Sequence, residues 1–554
     1  MYCSRREALS TLGAFGTGLG LSACSILPIS PFCPADPAIS DPTTPLTIDV
    51  HAHVFNGSDL QVDGFISKIL ALDNPELKQF GPILQELGND FAPTAKQELG
   101  ELQTIGSALG DNRVLAETIE TYKDAGYRKA VIELKAALRR VQSRRARTLY
   151  PVSDEVSRQI LALPEDRKAY RVARRRQFAL SPEAGTLSGV IDFIIRNFQY
   201  RYVNVHDYLT EYSTGKERKV DLFVAHLVDY DWPIGGGNST TTPLDEQILV
   251  MEQVTRLTNG RVHCFAPYDP LKEVAYGLGL SPNSSLKLVQ NAVMSHGFVG
   301  VKLYPPMGFA PLLNASLGQS FWNVPWLPPR LRRPDMGKRL DNALGELYTW
   351  CLINAVPIMA HTSPSNGPSA EFKQLTRAKY WRAVRDQFAG IRVDFGHFGD
   401  SDMVKNNGWR ARHLADLMTP ASSAGGGENL FADSAYLVDL LSRPMTLESV
   451  LSSLYRYTAN KGDAALSTRF MYGTDWEMVV IEGRESSQYL ERFEAIFRRL
   501  SSDPSLSDQF FGTNAANFLG LRTGQQNRTR LDLFYALGPK PAWMTKVDSL
   551  KLVA

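Results

Sequence analysis

From residue 46 onward the chain alternates between two rhythms of hydrophobic and polar positions. Short apolar or β-branched runs at 47–54, 220–228, 261–266, 298–303, 357–360, 391–395, 429–432 and 469–472 predict strands. Helix-compatible stretches separate them, among them 336–354, 403–418 and 489–500. Strands divided by helices suit parallel pairing through crossover connections. Eight such units closing on themselves give an α/β fold, the (β/α)8 or TIM barrel. A doubly wound open sheet is the competing arrangement, and the positions of the polar residues decide between them.

One stretch breaks the rhythm. Residues 57–219, between the first two strands, read as a mostly helical insertion. Because it follows the first strand, it is expected to rise on the catalytic face of a barrel and act as a cap. It carries two basic clusters, one with Arg139, Arg140, Arg144 and Arg145, the other with Arg167, Lys168, Arg171, Arg174, Arg175 and Arg176. No nucleic-acid-binding motif or heptad seam accompanies them. They read as solvated helix faces, with an anionic lipid surface or an acidic substrate as the alternatives. The barrel unit is expected to span 46–522, with 523–554 as a C-terminal tail.

The 554 residues hold 44% apolar and 21% charged positions, a globular mix that excludes a disordered or many-span membrane chain. Lys and Arg number 60 against 58 Asp and Glu, so no global field for nucleic acid exists and none is expected as a partner. Five scattered cysteines exclude a disulfide scaffold and a thiolate zinc site. The N-terminus, with Ser4-Arg5-Arg6, a short Gly-rich apolar run and Leu21-Ser22-Ala23-Cys24, reads as an export signal over 1–23. The paired arginines resemble a twin-arginine signal, and the segment ending in Cys24 resembles a lipoprotein box. Both imply an exported protein, periplasmic or anchored to a membrane through a lipidated Cys24. The proline-rich 24–45 reads as an extended spacer.

Candidate chemistry gathers at strand ends. His51 and His53 lie two apart on the first strand, so both imidazoles project to one face, and imidazole is a preferred donor to Zn2+ and similar ions. Asp49 shares that face by the same period and is a candidate to orient a ligand imidazole, or to form a buried salt bridge. His361, His397 and Asp475 close three later strands. A barrel brings such distant strand ends into one ring. His206, His226, His263, His296 and His413 read as structural or surface groups.

The H-x-H after strand one, the histidines after strands five and six and the aspartate after strand eight resemble the amidohydrolase superfamily. The likeness is to its amidohydrolase-related (amidohydrolase 2) branch of metal-dependent TIM-barrel hydrolases. Gly297-Phe298-Val299-Gly300-Val301-Lys302-Leu303-Tyr304-Pro305-Pro306 and Gly512-Thr513-Asn514-Ala515-Ala516-Asn517-Phe518-Leu519-Gly520-Leu521 extend it. The similarity covers roughly 46–56 and 220–521; the insertion and the tail lie outside it.

The resemblance implies a divalent metal, expected to be Zn2+, with Mn2+, Fe2+ and Co2+ as alternatives. Its implied ligands are His51, His53, His361, His397, Lys302 and Asp475. In binuclear members the strand-four lysine becomes an N6-carboxylysine bridging two ions; the other reading of Lys302 is an unmodified lysine in a salt bridge or on a substrate carboxylate. The implied reaction is attack of a metal-activated water on an amide, ester or lactone carbonyl of a small-molecule substrate. Asp475 would move protons, and His397 would steady the oxyanion or bind the second ion. Asn56, Tyr304 and Trp232, with Asp229 and Asp231, lie near strand ends as candidate pocket residues; ordinary loop contacts are their other reading. Two alternatives stand beside hydrolysis: non-oxidative decarboxylation on one ion, and a non-catalytic surface lipoprotein that keeps the barrel as a binding module.

Overall fold

Eight parallel strands stand in chain order around a barrel: β1 (Ile48–His53), β2 (Leu222–His226), β3 (Val262–Pro267), β4 (Gly300–Leu303), β5 (Ile358–His361), β6 (Val393–Gly396), β7 (Leu430–Asp433) and β8 (Phe470–Met471). The ring closes where Val50 N–H donates to Tyr472 O at 3.1 Å and Asp475 N–H donates to His51 O at 2.7 Å. The computed structural model describes residues 43–550 except 55, 66–82, 84–86, 88–91, 109–111, 144–153, 181–184, 213–216, 326, 366, 420–426 and 483–485. The expected leader, Cys24 and the spacer as far as 42 lie outside the described residues, as do Arg144 and Arg145.

Strands buried on both faces need apolar residues on both, and each strand divides its set accordingly. Val50, Leu222, Val224, Phe265, Met359, Phe431 and Met471 form one cluster with Phe518 and Leu519 of the helix Asn514–Leu519. That cluster fills the barrel and plugs the end where the strands begin. Phe223, Ala225, Val301, Ile358, Val393, Phe395 and Leu430 belong to the outer cluster under the surrounding helices. The expected helices at 336–354 and 489–500 are Met336–Ile353 and Tyr489–Leu500. The one expected at 403–418 starts only at Trp409, because Asn407 and Gly408 turn left-handed at φ 48° and 64°.

The register of β1 against β2 slips once. Asp49 pairs with Phe223 and Ala52 with Ala225, so β1 advances three residues while β2 advances two. This is a β-bulge. Ile48 and Val50 lie in the interior cluster, whereas Ala52 and Val54 lie in the outer one. The extra residue therefore turns His51 and His53 into the barrel while leaving Asp49 on the outside. Simple alternation, which put Asp49 on the face of the two histidines, does not hold across the bulge. Asp49 accepts hydrogen bonds from Tyr208 Oη at 2.7 Å and Thr474 Oγ1 at 2.6 Å, and from the amides of Thr474 at 3.1 Å and His51 at 3.2 Å.

Tyr208 belongs to the insertion, which is helical over Ala95–Ala108, Asn112–Ser143, Asp154–Ala162, Arg167–Leu180, Gly185–Asn197 and Arg201–Glu211. Its last helix lies against the outer side of β1 and β2, with the Tyr208 ring 3.9 Å from that of Phe223. This helix takes the place of an outer barrel helix. Arg201, fully buried, ties the insertion to the chain after β1 by pairing with Asp59 at 2.7 Å and Glu98 at 2.9 Å.

The segment expected as a tail is part of the barrel floor. Leu531, Tyr535, Trp543, Met544 and Val547 join the interior cluster; Trp543 Nε1 donates to Gly260 O at 2.8 Å, and Lys546 pairs with Asp221 at 2.7 Å. His263 is structural, held between Gly297 O at 2.7 Å and Tyr535 Oη at 3.0 Å. Replacing Trp543 with alanine should cost about 3–5 kcal/mol of stability, read as a lower urea midpoint, with the metal affinity of the folded protein unchanged.

Candidate metal centre

Each strand of a parallel barrel ends on the same rim, and its inward set continues to that end. On β1 this delivers His51 and His53; on β2, after Leu222 and Val224, it delivers His226. Lys302 stands on β4, His361 ends β5, His397 follows β6, Asp433 ends β7, and Asp475 follows β8. All are buried. The His51 ring centroid lies 4.7 Å from those of His226 and His397 and 5.6 Å from that of His53. The His361 and His397 centroids are 4.5 Å apart. Residues 424 positions apart in the sequence, from His51 to Asp475, thus share one site.

Backbone geometry makes room for this crowding. A Cβ on Gly473 would lie 3.0 Å from His51 Cβ, and one on Gly396 would lie 3.1 Å from His51 Cε1. His397 and Asp475 adopt left-handed conformations at φ 62° and 59°. Such strain in non-glycine residues costs ~1–3 kcal/mol each and persists where surrounding bonds over-determine it.

The hydrogen bonds assign the imidazole tautomers. His51 Nδ1 donates to Asp433 Oδ2 at 2.7 Å, His53 Nδ1 to His226 O at 3.0 Å, His226 Nε2 to Val50 O at 2.9 Å, and His397 Nδ1 to Ala435 O at 2.9 Å. Each bond commits the proton to one nitrogen and leaves the other as the lone-pair atom, the arrangement that orients metal-binding histidines. The lone-pair atoms are His51 Nε2, His53 Nε2, His226 Nδ1 and His397 Nε2. His361 Nδ1 donates to His397 Nε2 at 2.9 Å and Ser365 Oγ donates to His361 Nε2 at 2.7 Å, so this pair is satisfied within the protein.

The other half of the site is not balanced in that way. Asp475 Oδ1 lies 3.3 Å from His53 Nε2 and 3.5 Å from His51 Nε2, buried and with no hydrogen-bond donor. One ring nitrogen each of His51, His53 and His226 lies within 4.8 Å of the others. Acceptors facing acceptors in a buried site fit a divalent cation.

Electrostatics agree with neutral imidazoles. Burial first, then the charges of Lys302 and neighbouring imidazoles, pulls His51 and His226 well below the ordinary range. Burial pulls His53 down as well, against the pull of Asp475. For Asp475 burial acts upward, but the His53 contact and the charges of His397, His53 and Lys302 outweigh it and hold the carboxyl below its ordinary value. Asp394, beneath the rim on β6, is pushed well up by burial and by the charge of Asp433. Burial brings Lys302 down to about 8, although Asp475, Asp433 and Asp394 oppose it. Its Nζ donates to His51 Nε2 at 3.3 Å, His226 Nδ1 at 3.4 Å and Met359 Sδ at 3.1 Å.

The expected pocket residues separate. Tyr304 is at the site, its ring 4.4 Å from that of His361, and with Lys302, Tyr230 and Asp269 it lines a cavity of about 20 Å³. Asn56 is committed to the fold: its Oδ1 accepts from Ser58 N at 3.0 Å and its Nδ2 donates to Gln199 O at 3.1 Å. Trp232 packs on Gly237 in a separate pocket with Asp245 and Lys272. Asp229 and Asp231 both pair with Lys272, at 2.6 and 3.2 Å. Of the histidines assigned to structure or surface, His226 belongs at the site, and Asp433 joins it unforeseen. His226 ends the second strand as His361 ends the fifth, so the strand-end rule would have found it.

Comparison of the chain with protein-family models and with curated proteins gives no match. Among solved structures it is similar to an uncharacterised TIM-barrel protein of Bordetella bronchiseptica, 13% identical over 58% of this chain and 82% of that one, with a TM-score of 0.35. It is also similar to an amidohydrolase of Burkholderia multivorans with bound zinc, 13% identical over 57% of this chain and 87% of that one, TM-score 0.32. A third is the 5-carboxyvanillate decarboxylase of Novosphingobium aromaticivorans with bound manganese, 10% identical over 64% and 93%, TM-score 0.32.

Two outcomes follow from the geometry. Asp433→Asn keeps its oxygen on the amides of His397 and Ala435 and turns an NH2 group toward His51 Nδ1, so it should disturb the His51 tautomer and weaken binding of added Zn2+ about 10–100-fold in a chelator competition. Tyr208→Phe removes one donor to Asp49 and should cost about 1–2 kcal/mol, with faster hydrogen exchange at the amides of Thr474 and Asp475.

Proposed function

We propose that the chain is a metal-dependent hydrolase of the amidohydrolase type, opening an amide, ester or lactone bond in a small molecule. The observation that carries this reading is Asp475 Oδ1, a buried carboxylate oxygen facing two imidazole lone pairs at 3.3 and 3.5 Å. Positive charge among the three makes that arrangement stable. His51, His53 and Asp475 would hold an ion there, and Lys302, His361 and His397 would serve a second. Zn2+ is the expected ion for imidazole and carboxylate donors. When bound, a divalent ion supplies a Lewis acid that polarises a carbonyl and makes water nucleophilic near neutral pH.

The chain's own groups do the rest. Asp475, held below the ordinary carboxyl range, is ionised at neutral pH and takes the proton of the attacking water, then passes it to the leaving group. His397, held by its Nδ1–H bond to Ala435 O and by the hydrogen bond from its backbone amide to Asp433 Oδ1, would offer its Nε2 lone pair to the second ion. Tyr304 gives the substrate a wall beside His361. Lys302, brought down to about 8, has a minor neutral-amine fraction at neutral pH; addition of that amine to CO2 with loss of a proton would give a carboxylate on Nζ. The leader motif supports work outside the cytoplasm, in the periplasm or anchored to a membrane through Cys24.

Metal-loaded full-length protein should turn over within a panel of amides, esters and lactones, lose that activity on chelation, and regain it with Zn2+ or Mn2+. Asp475→Asn should lower kcat by about 10²–10⁴. Ions counted per chain should rise from one to two when bicarbonate is supplied. Release of CO2 from aromatic or enoic acids in place of hydrolysis would move the assignment to the decarboxylases. Metal-loaded protein inert toward both panels would leave a binding module.

A further inference from the structure

We infer that His226 is a direct metal ligand, so that the ion beside β1 is held by three imidazoles, His51, His53 and His226. This rests on the metal-dependent reading above and goes beyond its ligand set. His226 faces the barrel interior at the end of β2, paired in register with His53. It is fully buried, and its Nε2–H is spent on Val50 O at 2.9 Å, which leaves Nδ1 as the lone-pair atom. A ring nitrogen of His226 lies within 4.8 Å of one on His51 and one on His53. Its ring stacks on that of His51 at 4.7 Å and 21°.

The neighbours of Nδ1 favour this role over a packing role. Lys302 Nζ reaches both His51 Nε2 at 3.3 Å and His226 Nδ1 at 3.4 Å, so the two lone pairs converge on one small cationic group. The carbonyl of His226 also accepts Nδ1–H of His53 at 3.0 Å, so one residue orients a second ligand through its backbone while presenting its own ring. Three imidazoles suffice as protein donors for a catalytic zinc-type ion with an open position.

The test uses full-length protein stripped of metal and titrated with Co2+ alone, for wild type, His226→Ala and His226→Gln. A chelator competition reads affinity, and visible absorption reads the coordination sphere. The expected result is a loss of affinity of at least ~100-fold in both variants, at or beyond the top of the 10–100-fold range usual for a side chain acting through a ligand. A changed Co2+ absorption envelope should accompany it. Variants with wild-type affinity and spectrum overturn the inference while leaving the metal-dependent reading intact; a wild type that binds no Co2+ overturns both. Should the variants fail to fold, crystals of the Co2+-loaded wild type decide: anomalous density within bonding distance of His226 Nδ1 supports the assignment, and an ion on His51 and His53 but not on His226 overturns it.

Discussion

One extra residue in β1 sets the geometry of the rim. Without the bulge between Asp49 and Ala52, the alternation that sends Ile48 and Val50 inward would send His51 and His53 outward. With it, two imidazoles enter the barrel and a carboxylate leaves it. A bulge exposes backbone groups that a regular ladder would use, and these groups are taken up locally. His51 O accepts from the amides of Thr474 and Asp475 at 3.2 and 2.7 Å, while Val50 O accepts from His226 at 2.9 Å. The distortion that aims the histidines therefore also anchors Asp475 and fixes the His226 tautomer.

Burial governs the electrostatics that follow. Placing this many titratable groups in one dry ring is easier when imidazoles are neutral, and burial pulls His51, His53, His226 and His361 that way. Neutral rings then need every N–H matched, which Asp433 and three backbone carbonyls accomplish. The halves of the ring end up unequal. His361 and His397 satisfy each other with Ser365, whereas the β1 side collects acceptors around Asp475 Oδ1 and the amine of Lys302. The imbalance is where a cation has most to offer.

Much of this was legible in the sequence, for physical reasons that also explain the gaps. All eight strands are visible because a doubly buried strand must be an apolar run, and His51, His53, His361, His397 and Asp475 stand out as polar residues where those runs stop. Asp433 stands one position past its run at 429–432 just as His361 does past 357–360, so the same strand-end rule, applied to every carboxylate, would have found it. The misplacement of Asp49 has a different origin. A bulge is a relation between two strands, so no period within β1 announces it. The segment 523–554 reads as a tail because its helices are largely polar, with a few residues, Trp543 above all, carrying the contact with the barrel floor.

The insertion belongs to the same chain of dependence. Its last helix, Arg201–Glu211, packs outside β1 and β2 and sends Tyr208 to Asp49. Asp49 in turn holds Thr474 by its hydroxyl and amide, and Thr474 is followed by Asp475 in its left-handed conformation. A residue held at φ 59° stays there only while its neighbours prevent relaxation. The insertion thus contributes to the placement of Asp475 through three consecutive contacts and without touching it. An insert that merely covered the barrel mouth could be lost with little effect on Asp475; one that supplies the fourth donor to Asp49 could not.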